Sequence, residues 1–173
     1  MGAAAGGYIE HTFAAHEIVA VTSVTVGAGG AGGVNGHGFA GGISSFGTHL
    51  TAFGAPGGLR AVATGGPSTG SNSIPSVGGG ASGPVGSIII AGTPETYGAI
   101  FQPTASTWHA AYGGAGGRSY LSPGGRAVSA SNEGSGAPGF GGGAGGGAIA
   151  QNHGAVNGAA GAQGIIIIEE YYA

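Results

Sequence analysis

Hydrophobic and polar residues alternate along only a few short stretches of the chain. Tyr8 to Ala14 places Tyr8, Glu10 and Thr12 on one face and Ile9, His11 and Phe13 on the other, the two-residue period of a strand. Thr22 to Val26 is rich in β-branched residues, which suit a pleated surface. Ile43 to Phe53 holds two short strand candidates around Gly47. Ile88 to Ile90 and Ile165 to Ile168 are continuous aliphatic runs that predict buried strands, the second leading into Glu169-Glu170-Tyr171-Tyr172. The strands near the two termini are expected to pair with each other and close the domain. No window of about 11 residues is free of glycine and proline while carrying a 3.6-residue apolar period, so no helix is predicted.

Between the strand candidates lies glycine, 45 residues of 173. Each glycine enters folding with more backbone freedom than any other residue, so ordering so many of them is costly unless the architecture needs the missing side chain. The spacing suggests such an architecture. Gly80, Gly83 and Gly86 stand three apart, as do Gly158, Gly161 and Gly164. Gly27, Gly30, Gly33 and Gly36 share the spacing with other glycines between them. Three residues is the period of the polyproline II helix, which has no internal hydrogen bonds. Glycine at every third position gives that helix a bare face, against which a second backbone can lie and pair its amides. Gly136 to Gly147 is too dense in glycine to display a register. Collagen needs a strict Gly-X-Y repeat with much proline, and this chain breaks register and has eight prolines. Flexible linkers are serine-rich and lack the isoleucine, phenylalanine and tyrosine that punctuate every glycine cluster here. The predicted fold is all-β with glycine-rich polyproline II segments, with short strands at both ends and in the first third and essentially no helix.

Composition narrows the function. Only 5% of residues are charged, and the net charge of −3 leaves three arginines, Arg60, Arg118 and Arg126, too few to neutralise a run of phosphates. Nucleic-acid binding is therefore excluded from the expectations. The longest aliphatic run, Ile165 to Ile168, is far short of the ~20 residues of a membrane-spanning helix. The absence of cysteine removes disulfides and thiolate metal sites.

Catalytic and cofactor motifs fail on their context. Gly27-Ala28-Gly29-Gly30-Ala31-Gly32 fits G-x-G-x-x-G, but dinucleotide binding also needs a following helix and an acidic residue about 20 positions on. Gly66-Pro67-Ser68-Thr69-Gly70 fits G-x-S-x-G, but Ser71-Asn72-Ser73-Ile74-Pro75 supplies no helix for a nucleophile elbow. Glu169 and Glu170 are adjacent and point to opposite faces of a strand, so they do not flank a glycosidic bond. His11 and His16 fall on opposite faces of a continuous strand, so no metal site is predicted in one chain, although a trimer could gather one histidine per chain on its axis. The expectation is a protein that is not an enzyme and carries no cofactor.

Glu95 to Tyr120 stands apart. It holds Tyr97, Phe101, Gln102, Trp108, His109, Tyr112, Arg118 and Tyr120, large amphipathic residues on glycine-flanked backbone and including the sole tryptophan. Aromatic faces beside hydrogen-bonding groups suit the recognition of sugars or protein loops. The candidate receptor-binding residues are Tyr97, Phe101, Trp108, His109, Tyr112, Arg118 and Tyr120; the competing reading makes the aromatics the missing hydrophobic core.

Several runs resemble the glycine-rich C-terminal domains of bacteriophage tail fibre and receptor-binding proteins. They are Thr25-Val26-Gly27-Ala28-Gly29-Gly30-Ala31-Gly32-Gly33, Gly41-Gly42-Ile43-Ser44-Ser45-Phe46-Gly47, and Gly158-Ala159-Ala160-Gly161-Ala162-Gln163-Gly164 before Ile165-Ile166-Ile167-Ile168-Glu169-Glu170-Tyr171. Gly117-Arg118-Ser119-Tyr120-Leu121-Ser122-Pro123-Gly124-Gly125 is similar to the middle of those domains. The resemblance implies one domain over residues 1–173, a C-terminal fragment of a longer fibre chain. It would sit at the distal end of a tail fibre in the virion, commonly as a homotrimer. It also implies a bacterial surface receptor, glycan or outer-membrane protein, as partner, with no insertion into a membrane. Two other readings remain open: a structural fibre or shell protein whose aromatics are buried, and an ice-binding polyproline II bundle with a flat face of small residues.

Overall fold

The computed structural model describes residues 1–18, 21–34, 36–59, 68–70, 76–102, 110–129, 132–148 and 156–171. Most of these residues belong to no helix or strand. They run as extended segments whose amides bond to neighbouring segments at intervals of three residues. Gly158, Gly161 and Gly164 donate to the carbonyls of Gly33, Gly30 and Gly27 at 3.1, 2.9 and 2.9 Å. That interval, with no bonds inside a segment, is the polyproline II pattern expected from the glycine spacing.

Six segments close a ring; five neighbouring pairs are hydrogen-bonded within the ranges named, and the sixth, 54–58 against 1–7, is in backbone contact and bonded through the preceding Phe53. Residues 27–33 accept from 158–164 on one side and from 38–42 on the other, where Phe39 and Gly42 donate to Ala31 and Ala28 at 3.0 and 2.8 Å. Gly38 and Gly41 then donate to Gly58 and Ala55 of residues 54–58, at 2.8 and 3.0 Å. Residues 54–58 lie against 1–7, where the Gly7 amide reaches the Phe53 carbonyl at 3.1 Å. Ala3 and Gly6 donate to Ala144 and Gly141 of residues 141–147 at 2.7 and 2.9 Å. Ala162 donates to Gly142 at 3.0 Å and closes the circuit. Residues 76–80, 91–97, 113–118, 123–128 and 132–136 add further segments along 1–7 and 141–147, for example through Gly117 to Ala3 at 2.8 Å and Gly145 to Ser135 at 2.7 Å.

The local density of glycine follows the number of neighbours. In residues 27–33 two interleaved series appear. A Cβ on Gly27, Gly30 or Gly33 would collide with the backbone of 36–43, and one on Gly29 or Gly32 with the carbonyls of Gly161 or Gly158. Residues 141–147 carry three series. Gly143 and Gly146 face the carbonyls of Ala3 and Met1, Gly145 faces that of Arg126, and Gly147 faces that of Asn157. The stretch whose register could not be read divides in two: residues 136–140 lead through an exposed turn, and 141–147 form an enclosed segment of the bundle, with residues 142–146 all buried.

Short strands cap the two ends. At the first end, β1 (Tyr8–Glu10) pairs antiparallel with β7 (Ile88–Ile90), in the register Tyr8↔Ile90, Ile9↔Ile89 and Glu10↔Ile88. Beside it lies a sheet in the order β2 (Val24–Thr25), β3 (Ser44–Phe46), β4 (Leu50–Ala52) and β6 (Ala81–Ser82). At the second end, β8 (Ala99–Gln102) lies between β5 (Ser68–Gly70) and β9 (Ala110–Tyr112). The hairpin between Ile43 and Phe53 is as predicted. Its turn holds Gly47 at φ 53°, a left-handed conformation that glycine takes without strain.

Three expectations need correction. Ile165 to Ile168 forms no strand and has no β partner among the described residues, and Ile167 and Ile168 are exposed. β1 meets β7 instead, because residues 1–7 are bonded to Gly79 and Thr93, which flank β6 and β7 and deliver β7 to that edge. Ile88 to Ile90 is a strand but an exposed one. Gly80, Gly83 and Gly86 do not form a polyproline II face, since Gly86 has φ 91° in the turn that joins β6 to β7. Among the described residues a single 3-10 turn, Ala15–Glu17, is the only helical element. It ends the alternation begun at Tyr8, so His11 and His16 do not share one strand.

Among the described residues the buried apolar ones are alanines: Ala4, Ala5, Ala55, Ala111, Ala144 and Ala148. Among the described residues no large side chain is fully buried. Cohesion must therefore come from backbone hydrogen bonds and close backbone contact rather than side-chain packing. Gly143→Ala, which drives a Cβ into the Ala3 carbonyl, is expected to cost about 3 kcal/mol. Gly41→Ala, whose Cβ has its nearest neighbours at 3.6 to 3.9 Å, is expected to stay within ~1 kcal/mol of the parent. Thermal melts followed by circular dichroism check the contrast.

Candidate functional site

The segments shuttle between the two ends every few residues, so residues close in sequence are dealt to opposite ends. Thr93 pairs with Arg118, and Thr96 with Ala115, in an antiparallel run of 91–97 against 113–118. Tyr97 therefore lies beside Tyr112 at the second end, whereas Arg118 and Tyr120 lie at the first. Five residues of polyproline II separate the two groups, roughly 15 Å.

At the second end, Tyr112 closes β9 opposite Ala99 and bridges to Ser129. Tyr97 precedes β8. Phe101 is placed within β8, paired with Thr69 and Ala110. Trp108 and His109 lie outside the described residues. The neighbouring Glu95 is buried, 4% exposed, and its carboxylate accepts from the Ser76 amide at 3.0 Å and the Ser76 hydroxyl at 2.8 Å. It anchors the segment that enters the bundle at Ser76 and is not part of a binding surface.

At the first end, Arg118 is exposed, and its backbone is fixed to Thr93 by an N–H···Oγ1 bond of 2.6 Å. Tyr120 sits in a turn held by Ser119 to Ser122 at 3.0 Å and by the Ser119 hydroxyl on the Phe140 carbonyl at 2.7 Å. Its ring lies 4.3 Å from that of Tyr8, tilted 37°. Tyr97, Tyr112 and Tyr120 are 51%, 56% and 59% exposed, so these three do not form a hydrophobic core.

The first end also holds a cluster that the sequence reading missed. The His11 and Phe13 rings are 4.6 Å apart, Phe13 and His49 are 5.4 Å apart edge to face, and Phe13 and Phe46 are 6.0 Å apart. The Ser87 hydroxyl meets His11 Nδ1 at 3.0 Å. The signal was present: His11 and Phe13 share a strand face, and Phe46 and His49 flank the Gly47 turn. What the sequence lacked was the packing of β1 against the β3–β4 hairpin, which gathers them at one end. Half-buried aromatic rings with histidines alongside are a chemistry suited to receiving sugar rings or apolar side chains.

The electrostatics of this end are those of a weakly acidic surface. The Tyr8 hydroxyl donates to Glu10 Oε2 at 2.7 Å, and this bond raises its pKa to about 12. The Tyr171 hydroxyl donates to Glu169 Oε2 at 2.7 Å and is raised for the same reason. Among the described residues no group of three histidine or carboxylate side chains is close enough to hold a metal ion. The G-x-G-x-x-G run is part of the ring wall, with its glycines spent on backbone contact.

A family model described as a glycine-rich domain matches residues 1–171. Searches of curated proteins and of solved structures find no match.

A raised phenol is stabilised in its protonated form. The Tyr8–Glu10 bond is thus fully in place below the ordinary tyrosine pKa of ~10 and is lost as pH rises through about 12. A spectrophotometric titration at alkaline pH is expected to show late phenols, of which the one titrating at about 12 disappears in Tyr8→Phe while that of Tyr171 remains. In Glu10→Gln the Tyr8 phenol is expected to return toward ~10.

Proposed function

We propose that this chain, which belongs to the glycine-rich domain family over residues 1–171, is the tip domain of a bacteriophage tail fibre that binds a receptor on the bacterial surface. The observation that carries the reading is the exposure of Tyr97, Tyr112 and Tyr120 at the ends of a backbone-bonded frame. A purely structural component has no use for large aromatic rings in water, and its reading required them to be buried. A frame whose cohesion lies in the main chain leaves the side chains at its ends free for recognition. The resemblance of Gly27 to Gly33, Gly41 to Gly47 and Gly158 to Tyr171 to tail fibre domains supplies the biological setting.

Two recognition surfaces are available on this reading. One carries Tyr97 and Tyr112 with the β5–β8–β9 sheet. The other carries Tyr120 stacked on Tyr8, with Phe13, Phe46 and the two histidines. Aromatic faces and tyrosine hydroxyls favour neutral glycans or polar protein loops over anionic ones, since only Arg118 among the candidate residues offers a fixed positive charge. Binding involves no catalytic step and no cofactor. A homotrimeric fibre at the distal end of the virion tail would present three copies, and several fibres would multiply weak single contacts into firm attachment.

Retention on intact host cells tests the proposal. The parent protein is expected to be captured. The double variants Tyr97→Ala/Tyr112→Ala and Phe13→Ala/Tyr120→Ala separate the two ends, and one of them is expected to lose at least tenfold in retention while keeping the parent circular dichroism. Absence of capture, or equal capture of both variants, would contradict it.

A further inference from the structure

We propose that the channel at the centre of the six-segment ring is a binding site for an extended, glycine- and alanine-rich polypeptide in the polyproline II conformation, supplied by another chain. The inference rests on the ring alone and is independent of the receptor reading. Six cylinders of equal width in a closed ring leave a central space one cylinder wide. The ring here encloses about 480 Å³, from Tyr112 and Leu59 at the second end to Ser44 and Ala52 at the first. Its walls are residues 1–7, 27–33, 38–42, 54–58, 141–147 and 158–164, and none of the other polyproline II segments contributes to it.

Two independent observations point to a main chain as the occupant. The first is a set of glycines that ring packing does not require. Most ring glycines would drive a Cβ into a neighbouring carbonyl. Gly6, Gly41 and Gly161 would not, their nearest contacts lying at 3.5 to 3.6 Å. At Gly41 a Cβ would lie 3.6 Å from Gly54 Cα and 3.8 Å from the Ala28 carbonyl, touching both ring neighbours at ordinary distances. At Gly161 it would lie 3.6 Å from both the Gly142 carbonyl and the Gly30 nitrogen. At Gly6 it would lie 3.5 Å from the Phe53 carbonyl and 3.7 Å from that of Gly141. A direction shared equally between the two ring neighbours is the direction of the channel. Bare positions there keep it wide enough for a backbone.

The second observation is a pair of donor rows. Among the described residues, no amide of 28–33, and none of Gly54, Ala55, Gly57 or Gly58, donates a hydrogen bond. Gly33, Ala55 and Gly58 are nonetheless buried. Four of these nitrogens stand next to the Cβ directions of ring glycines: Gly30 by Gly161, Gly33 by Gly158 at 3.5 Å, Ala55 by Gly41 at 3.9 Å, and Gly58 by Gly38 at 3.3 Å. Buried amides are paired in native structures, so these rows call for acceptors. On each wall they stand three residues apart, 30 and 33 on one and 55 and 58 on the other. That is the repeat at which a polyproline II chain presents its carbonyls. About seven residues of such a chain span the channel at ~3.1 Å each, and the lack of room beyond the glycines confines its side chains to hydrogen or methyl.

The test titrates the isotopically labelled protein with the peptide Gly-Ala-Gly-Gly-Ala-Gly-Gly, capped at both ends, and follows amide signals and their hydrogen exchange. Saturable binding is expected, with exchange at Gly30, Gly33, Ala55 and Gly58 slowed at least tenfold. Gly41→Leu, which fills the channel, is expected to weaken binding at least tenfold, whereas Ala40→Leu on the exposed outer face leaves it unchanged. Gly41→Ala, for which the ring has room, is expected to weaken it about threefold and keeps the test decisive should the leucine variant not fold. No saturable change at millimolar peptide, equal binding by the parent and both Gly41 variants, or the same slowing by a neutral oligosaccharide in place of the peptide would overturn the proposal.

Discussion

The hydrogen bond between two backbones lying in direct contact is the interaction on which the rest of this structure depends. It forms only where neither segment carries a Cβ on the contact face, and that condition accounts for the composition of the chain. Among the described residues, alanines are the buried apolar residues and no large side chain is fully buried, while most of the bundle's bonds run between one main chain and another. The entropy of ordering glycine is the main cost, and a dense network of paired amides and backbone contact offsets it. Glycine content along each segment then reports how many neighbours that segment has: two series in 27–33 and three in 141–147.

This frame also explains how function can be placed at its ends. Neighbouring polyproline II segments such as 91–97 and 113–118 run antiparallel, so the described strands and turns between segments fall at one end or the other. Such connections accept strands, aromatics and irregular loops without disturbing the bundle. The price is that neighbours in sequence are parted. Tyr112 and Tyr120 are eight positions apart and lie at opposite ends, while Tyr8 and Tyr120, far apart in sequence, stack at 4.3 Å.

Much of the frame was legible in the sequence, and the exceptions share a cause. The Gly158, Gly161 and Gly164 register could be read because a single bare face leaves two positions in three for other residues. The glycines that obscured the register in 27–33 were a second series for a second neighbour. Gly136 to Gly147 was opaque because it joins an exposed turn, 136–140, to a surrounded segment, 141–147, whose several glycine series leave little to mark its phase. The hairpin about Gly47 was legible because a strand–turn–strand is local. The partner of β1 was not, since bundle connectivity, rather than the aliphatic strength of Ile165 to Ile168, decides which strand arrives beside it. The candidate site was half legible: its residue types pointed to the exposed tyrosines, but their distribution between two ends, and the His11–Phe13–Phe46–His49 cluster, depend on a topology that local patterns do not carry.

Native-state hydrogen exchange resolved at single amides tests the central claim most directly. If the ladder of backbone bonds holds the protein together, the slowest amides belong to the two central segments, at Ala3, Ala5, Gly143, Gly145 and Gly146, and they exchange more slowly than those of the β2–β3–β4–β6 sheet. Fast exchange at these glycines and alanines, with protection confined to the strands, would contradict the account.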